Sequence, residues 1–299
     1  MRILAVRTDA RLGNLLLLTP ALRLLRGAFP DARISLLCSR RYADVLRFNP
    51  CVDEVLGPAW APSLRWRGYD LAIDFSPHHA FSRSGAFWTW WSGAPKRVGF
   101  DRGPAASFCN SLVPVPGSPG HETANLALLT PGGPPKERRP EYHFGPGEEA
   151  QPGLDAKTVA FFLGARAEKR LPAAWFLELA ARLRSSGRKV ALFTGPAEQG
   201  LLGDAAIPDG VSVFSGLPVR GVAAMLSHAR AVLTPDSGPM HLAAAVGVPT
   251  LALFSHTEPW RFGYAHLPGH AVLHTPGRHA SVDEAWEALN KLLDVPRQG

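Results

Sequence analysis

At 299 residues the chain is long enough for two domains that each bury their own core, and 46% hydrophobic with 19% charged residues is the balance of a soluble globular protein. The net charge of +7 suits an anionic partner and leaves nucleic acid, a phosphorylated ligand and an acidic membrane surface all open. Cys38, Cys51 and Cys109 are too far apart for a paired zinc or redox motif, so they read as core thiols of a reducing compartment.

The chain opens on a buried strand over residues 3–6. The leucine run at 15–18 is too short and wrongly flanked for a signal or a membrane span, so a cytoplasmic location is expected. A loop, RTDARLGN, leads into an apolar helical segment over 15–29, where Pro20 after Thr19 either kinks the helix or marks its effective start. A strand at 34–39, a helix at 42–48 and strands at 52–56 and 69–75 follow. SRSGAFWTWWSGAPKRVGF then reads as helix and strand, and HETANLALL from His121 as helix. Residues 130–157 concentrate proline, glycine and charge, as an interdomain linker does. The expected division is an N-terminal domain over 1–135, a linker over 136–156 and a C-terminal domain over 157–299.

A second alternating series follows: strand 158–164, helix 173–187, strand 189–195, a helical piece after Pro196, strand 211–216 and helix 221–229. The chain ends in a helix over 281–294 announced by a capping box, Ser281 and Glu284, and expected to pack back across the linker. Alternation of this kind means doubly wound parallel sheets. With G-x-G-x-x-G absent after either first strand, and no G-x-x-x-x-G-K-[ST], dinucleotide and P-loop readings lose their support.

The densest unit is AVLTPDSGPMHLAAAVGVPTLALF, residues 231–254, which reads as strand, turn, helix and strand. Gly238 can supply a turn conformation, Pro239 suits a first helical position, and Gly247 stops the helix. A helix start at the carboxyl end of a parallel strand offers unpaired N–H groups and a positive dipole end, which is an anion site. Asp236, Ser237 and His241 surround it; by themselves they also fit a helix cap and a buried, satisfied histidine.

DSGPMHLAAA followed by GVPTLALF resembles the signature of the heptosyltransferase family, glycosyltransferase family nine. The resemblance also covers RILAVRTDARLGNLLLLTPALRLLR, YDLAIDF with the block after it, and KRLPAAWFLELAARL with VALFTGPAE. It implies a GT-B architecture of two Rossmann-like domains facing a central cleft. It further implies an inverting, metal-independent transfer of a heptose-like sugar from a nucleotide-diphosphate donor, ADP-heptose by resemblance, to a lipid-linked or lipopolysaccharide-type saccharide. No cofactor, metal site or nucleic-acid partner is expected, while peripheral contact with the inner membrane leaflet is.

The family's donor-site positions map onto Gly164, Ala165, Arg166, Lys169, Glu198, Asp236, Ser237, Gly238 and His241, with Lys169 near the phosphates and Glu198 near the ribose. The family often carries hydroxyl residues where this chain has Gly164 and Ala165. The aspartate that ends the family's first loop and serves as base corresponds to Asn14, which cannot accept a proton and could instead cap the helix. Asp9 on the same loop, or His79 beside His78, could substitute. Arg11, Arg83, Lys96 and Arg97 are candidate acceptor contacts. The aromatic run at 87–91 reads either as core packing or as an acceptor- or membrane-facing surface. A binding protein that has lost turnover, and a nucleotide-sugar epimerase of the same architecture, are the rival readings.

Overall fold

The computed structural model describes every residue except 119, 135–137, 150–152, 196–197, 199 and 296–299. The expected helical piece after Pro196 and part of the expected linker therefore fall outside the described residues. The chain divides into two compact units, Met1–His143 and Phe144–Gly299.

The first unit contains β1 (Arg2–Arg7), α1 (Leu12–Ala28), β2 (Arg33–Cys38), β3 (Glu54–Leu56), β4 (Leu71–Asp74), α2 (Arg83–Trp91), β5 (Lys96–Phe100), β6 (Ser111–Val113) and α3 (Glu122–Ala127). Its six strands lie in the order β3-β2-β1-β4-β5-β6, all parallel. Ile3, Leu4, Ala5 and Val6 are fully buried, which is why the central strand reads as a continuous apolar run rather than an alternation. YADVLRF forms only a 3-10 turn, Ala43–Leu46, instead of the expected helix. Tyr42 and Arg47 bracket it, and four residues cannot offset the nucleation cost of an α-helix.

α1 begins at Leu12 with Arg11 as its N-cap, so Asn14 lies inside the first turn and caps nothing. The helix also continues across Pro20 instead of starting there. Proline lacks the N–H that would bond the Leu16 carbonyl, and the Thr19 hydroxyl donates to that carbonyl at 2.7 Å in its place. The same hydroxyl accepts the Glu141 backbone N–H at 2.8 Å, and Glu141 pairs with Arg23 on the same helix. One buried oxygen thus repairs the helix and fastens the end of the first unit.

The aromatic run divides between its two readings. Trp88 and Trp91 pack against the core, Trp91 donating to the Pro62 carbonyl at 3.0 Å, whereas Phe87 and Trp90 stay 38% and 41% exposed.

The second unit contains β7 (Thr158–Phe162), α4 (Ala173–Ser185), β8 (Lys189–Thr194), β9 (Val211–Ser215), α5 (Val219–Ser227), β10 (Ala231–Pro235), α6 (Gly238–Val246), β11 (Thr250–Phe254), α7 (Pro259–Phe262), β12 (His270–His274) and α8 (Val282–Asp294). The order β12-β11-β10-β7-β8-β9 repeats the topology of the first sheet. Glu148 anchors the start of this unit to Arg220 of α5, with Nε to Oε1 at 2.7 Å. The Ser281–Glu284 capping box is formed, and α8 applies Ala285, Leu289, Leu292 and Leu293 to the core that holds Phe176 and Leu179 of α4. That places the closing helix in the second unit's own core. Each of these leucine and phenylalanine side chains, buried, contributes about 1.5–3 kcal/mol.

Replacing Thr19 by valine keeps the shape and leaves the Leu16 carbonyl and the Glu141 N–H without this hydroxyl. One buried and one part-buried backbone group at about 1–3 kcal/mol each give an expected loss of about 2–6 kcal/mol, measurable by urea denaturation. An unchanged midpoint would show that the hydroxyl does not carry the proline.

Candidate functional site

In each sheet the chain leaves the central strands in opposite directions between β1 and β4 and between β7 and β10. The crevice at the carboxyl end of such a switch point is where doubly wound folds bind ligands. Most of the residues singled out in the sequence lie on the loops at these ends.

In the second unit, β7 leads through Gly164, Ala165 and Arg166 into a 3-10 turn, Ala167–Lys169, and β10 leads through Asp236 and Ser237 into α6. Lys169 and Asp236 are each 8% exposed, and Lys169 Nζ bonds Asp236 Oδ2. The Thr257 hydroxyl, just beyond β11, donates to the same oxygen. Three strand ends therefore converge on one carboxylate, which holds the ammonium beside the start of α6.

That helix start is not capped by its own N-cap side chain. Ser237 is the N-cap in extended conformation, φ −152° and ψ 176°, yet its side chain makes no capping bond; its Oγ lies 3.3 Å from Thr234 Oγ1. Gly238 already belongs to the helix and has no positive φ, so it does not supply the expected turn conformation. Gly247 does take the left-handed conformation, φ 83°, and ends α6 as expected.

Glu198 turns back onto its own loop. Its Oε2 accepts the Gly195 N–H at 3.1 Å and its Oε1 lies 3.4 Å from Arg170 Nη2. A Cβ on Gly164 would stand 2.9 Å from Glu198 Oε2, closer than real Cβ contacts allow. The glycine in place of a hydroxyl residue thus makes room for the carboxylate. Arg166 is exposed and 3.8 Å from Glu168.

His241 is buried, and its Nδ1 lies 2.7 Å from the Tyr264 hydroxyl, with the two rings edge to face at 88°. Burial pushes the imidazole down to about 4, Asp236 opposing the shift and Lys169 adding to it, so the ring is neutral at pH 7. Burial likewise pushes the Tyr264 phenol well up, and it stays protonated. A neutral imidazole beside a phenol has one N–H to offer; a phenol proton given to Nδ1 leaves Nε2–H as the donor.

In the first unit, Arg7 closes β1 at 1% exposure and gives Nη1 to the Phe75 carbonyl, while its Nε lies 2.7 Å from Asp9 Oδ2. Asn14 Nδ2 donates to the other oxygen, Asp9 Oδ1, at 2.9 Å. The amide at the expected base position therefore orients a carboxylate on the same loop, and Asp9 keeps 32% of its side chain exposed. Thr8 Oγ1 meets Ser84 Oγ at 2.8 Å, which brings the exposed Arg83 to this end of the sheet. Arg11, the N-cap of α1, is exposed at the same end.

Lys96 and Arg97 do not join them. They sit at the amino end of β5, the far end of a parallel sheet, and Arg97 is spent on the Phe108 and Ala94 carbonyls at 2.8 and 2.7 Å. Asp74 ends β4 inside the protein, accepting from the Ser76 N–H at 3.0 Å; burial pushes its carboxyl up to about 6, against the pull of Ser76 and Arg7. The fold brings His78 and His79, on the loop after β4, close to Glu122 of α3.

Arg7, Thr257 and Tyr264 are the contributors that sequence reasoning missed. Thr257 carries a weak signal, since it lies just past a strand end, as ligand-facing residues do in this fold. Tyr264 carries none, because nothing local ties it to a histidine on α6.

The depressed His241 value has a stability consequence. Between pH 6.5 and about 4 the unfolded chain binds a proton that the folded protein refuses, so stability falls as pH drops through that window and is level outside it. The span corresponds to roughly 3 kcal/mol at most. Asp74 acts in the opposite sense, because the folded protein holds a proton between pH 3.8 and about 6 that the unfolded chain has lost. The difference between wild type and His241→Gln in chemical denaturation from pH 4 to 7 isolates the histidine. Wild type should lose stability relative to the variant as pH falls, and parallel curves would contradict a buried neutral ring.

A model of glycosyltransferase family 9 (heptosyltransferase) matches residues 59–281. Lipopolysaccharide heptosyltransferase 1 of Pseudomonas aeruginosa is 30% identical over an alignment that takes in 100% of this chain and 92% of that protein. Among solved structures, a glycosyl transferase family 9 protein from Veillonella parvula has a TM-score of 0.83 at 20% identity, covering 98% of this chain and 97% of its own. E. coli heptosyltransferase WaaC with ADP has a TM-score of 0.80 at 22% identity, covering 98% of this chain and 100% of its own. At these identities the two structures speak for the fold, which is GT-B. The family match and the curated relative together carry the assignment: the chain belongs to glycosyltransferase family 9, the heptosyltransferases.

Proposed function

We propose that this glycosyltransferase moves a heptose-like sugar from a nucleoside-diphosphate donor, ADP-heptose by relationship, to a lipid-linked saccharide of the lipopolysaccharide type. The donor diphosphate is assigned to the second unit, between Lys169 and the start of α6. Charge builds on the diphosphate as the bond to the anomeric carbon breaks, and a fixed ammonium with a helix dipole stabilises it without a divalent ion at that point. ADP bound to a relative of the same fold supports this assignment.

Inversion follows when the acceptor hydroxyl attacks the anomeric carbon from the face opposite the leaving diphosphate. Its proton must go to a base during attack, and we assign that role to Asp9. The observation that carries this reading is the Asn14–Asp9 hydrogen bond at 2.9 Å, which makes the amide a positioning residue for a partly exposed carboxylate. It also favours an active transferase over a protein that has kept only the donor site. Arg11 and Arg83, exposed at the same end of the first unit, are suited to an anionic acceptor.

Steady-state transfer assays with donor binding measured alongside test the assignment. Asp9→Asn should lower kcat by about a hundredfold to ten-thousandfold while donor affinity stays nearly constant. Asn14→Asp would place a second carboxylate against Asp9. Two carboxylates at that distance share a proton, so activity should move to higher pH instead of rising at neutral pH. A brisk gain at pH 7 from Asn14→Asp, with Asp9→Asn harmless in that background, would give position 14 the role of base.

The first unit also presents Trp60 at 52% and Trp66 at 77% exposure on a 3-10 segment, Pro58–Trp66, on a chain of net charge +7. Indole rings beside arginine suit the headgroup layer of an anionic membrane, and we infer peripheral contact there. Sedimentation with vesicles containing anionic lipid should retain wild type and lose a Trp60→Ser, Trp66→Ser variant. Equal retention of both would remove these rings from the contact.

A further inference from the structure

His241 is the fourth residue of α6 and only 5% exposed, and its ring uses its two nitrogens unequally. Nδ1 lies 2.7 Å from the Tyr264 hydroxyl, whereas Nε2 has no hydrogen-bond partner among the described residues and is not sealed from solvent. Asp236 and Lys169 both act on the ring's charge, so it stands close to the ion pair at the helix start. A polar group this deep with one side unused points to a ligand. We propose that Tyr264 is a positioning residue for the transfer: its hydroxyl donates to His241 Nδ1 and holds the ring in the tautomer whose Nε2–H faces the donor diphosphate. This role rests on the assignment of that diphosphate to the start of α6.

Tyr264 reaches the ring through a tight turn after α7. The Gly263 N–H donates to the Pro259 carbonyl at 2.7 Å, and a Cβ on Gly263 would stand 2.8 Å from that oxygen and 3.1 Å from Val272 Cγ2. A side chain there would push the next residue out of place. Tyr264 then packs with Met240 and Ala244 of α6 and with Ala252 and Phe254 of β11, and is 2% exposed. The edge-to-face contact at 88° fixes the plane of the imidazole against the phenol, so hydroxyl and Nδ1 meet in one orientation.

A neutral imidazole carries one proton, and the hydrogen bond to Tyr264 decides where it sits. If Nδ1 held it, Nδ1–H would donate to the phenol oxygen and the Nε2 lone pair would face the site, where it repels an anion. A phenol is a much stronger acid than a neutral imidazole N–H, so the phenol donates and the ring keeps its proton on Nε2. As the bond between the anomeric carbon and the diphosphate breaks, its electron pair moves to the leaving oxygen. Nε2–H donates a hydrogen bond to the diphosphate and keeps its proton, and a donor already aimed there costs no reorganisation.

Nitrogen NMR of the full chain with isotope-labelled histidine, His241 being assigned by its absence in His241→Gln, reads the tautomer directly. At pH 7 the wild type should show a protonated Nε2 and an unprotonated Nδ1 before any ligand is added, and ADP should move the Nε2–H resonance. Tyr264→Phe keeps the ring and removes the hydroxyl. It should give a mixture of both tautomers and lower kcat by about tenfold to a hundredfold, with the donor KM changed by less than about twofold. The wild-type spectrum decides the tautomer even where the variant does not fold. A protonated Nδ1 in the wild type, or a Tyr264→Phe protein that keeps both tautomer and kcat, would overturn the proposal. ADP that binds wild type without moving the His241 resonances would overturn the contact with the diphosphate and leave the transferase assignment standing. ADP that does not bind at all would overturn the donor assignment and this role with it, and the tautomer read without ligand tells the two failures apart.

Discussion

A buried ion pair at the switch point of the second sheet sets the geometry of the loops to which we assign the donor. Asp236 receives Lys169 from the β7 end and Thr257 from the β11 end, so one carboxylate locks three loops. Neither partner of the pair would tolerate its depth alone, because a lone buried charge costs several kcal/mol. Together they fix an ammonium next to a helix start whose N-cap side chain is not used for capping. On the proposed reading this is a pre-organised anion site whose charge need not reorganise as a leaving diphosphate forms.

The first unit uses the same topology for a different purpose. Its central strand also ends in a buried charge, Arg7, but there the cation serves to hold a carboxylate, with Asn14 on the other oxygen. One unit fixes a positive group by a negative one, and the other fixes a negative group by a positive one. The proposed roles, leaving-group stabilisation and proton acceptance, call for these opposite arrangements.

Much of this was legible in the sequence where the signal is local. The buried strands of both sheets are apolar runs, the α8 capping box is a four-residue pattern, and Gly247 marks a helix end. The short edge strands β6 and β12 escaped, since three residues, SLV, or the half-exposed HAVLH carry little apolar signal. α1 began earlier than its leucines suggested because Pro20 looked like a boundary, and the Thr19 hydroxyl that excuses the proline acts through hydrogen bonds that no pattern reveals. At the candidate sites, DSGPMH was readable as a helix start at the end of a strand. What the residues are tied to was not: Tyr264 against His241, Asp9 against Asn14, and Glu122 against His78 are side-chain meetings made by the fold. Lys96 and Arg97 show the converse, since basic charge near an aromatic run says nothing about which end of a strand it occupies.

The central claim is that the loops joined by Asp236 hold a nucleoside diphosphate without a divalent ion. Hydrogen exchange with and without saturating ADP, in the presence of a chelator, measures it most directly. The account predicts slowed amide exchange over residues 164–169 and 236–241, lost in a Lys169→Met, Asp236→Asn variant that removes both charges of the pair together. Protection confined to other segments, or protection that appears only when magnesium is restored, would contradict it.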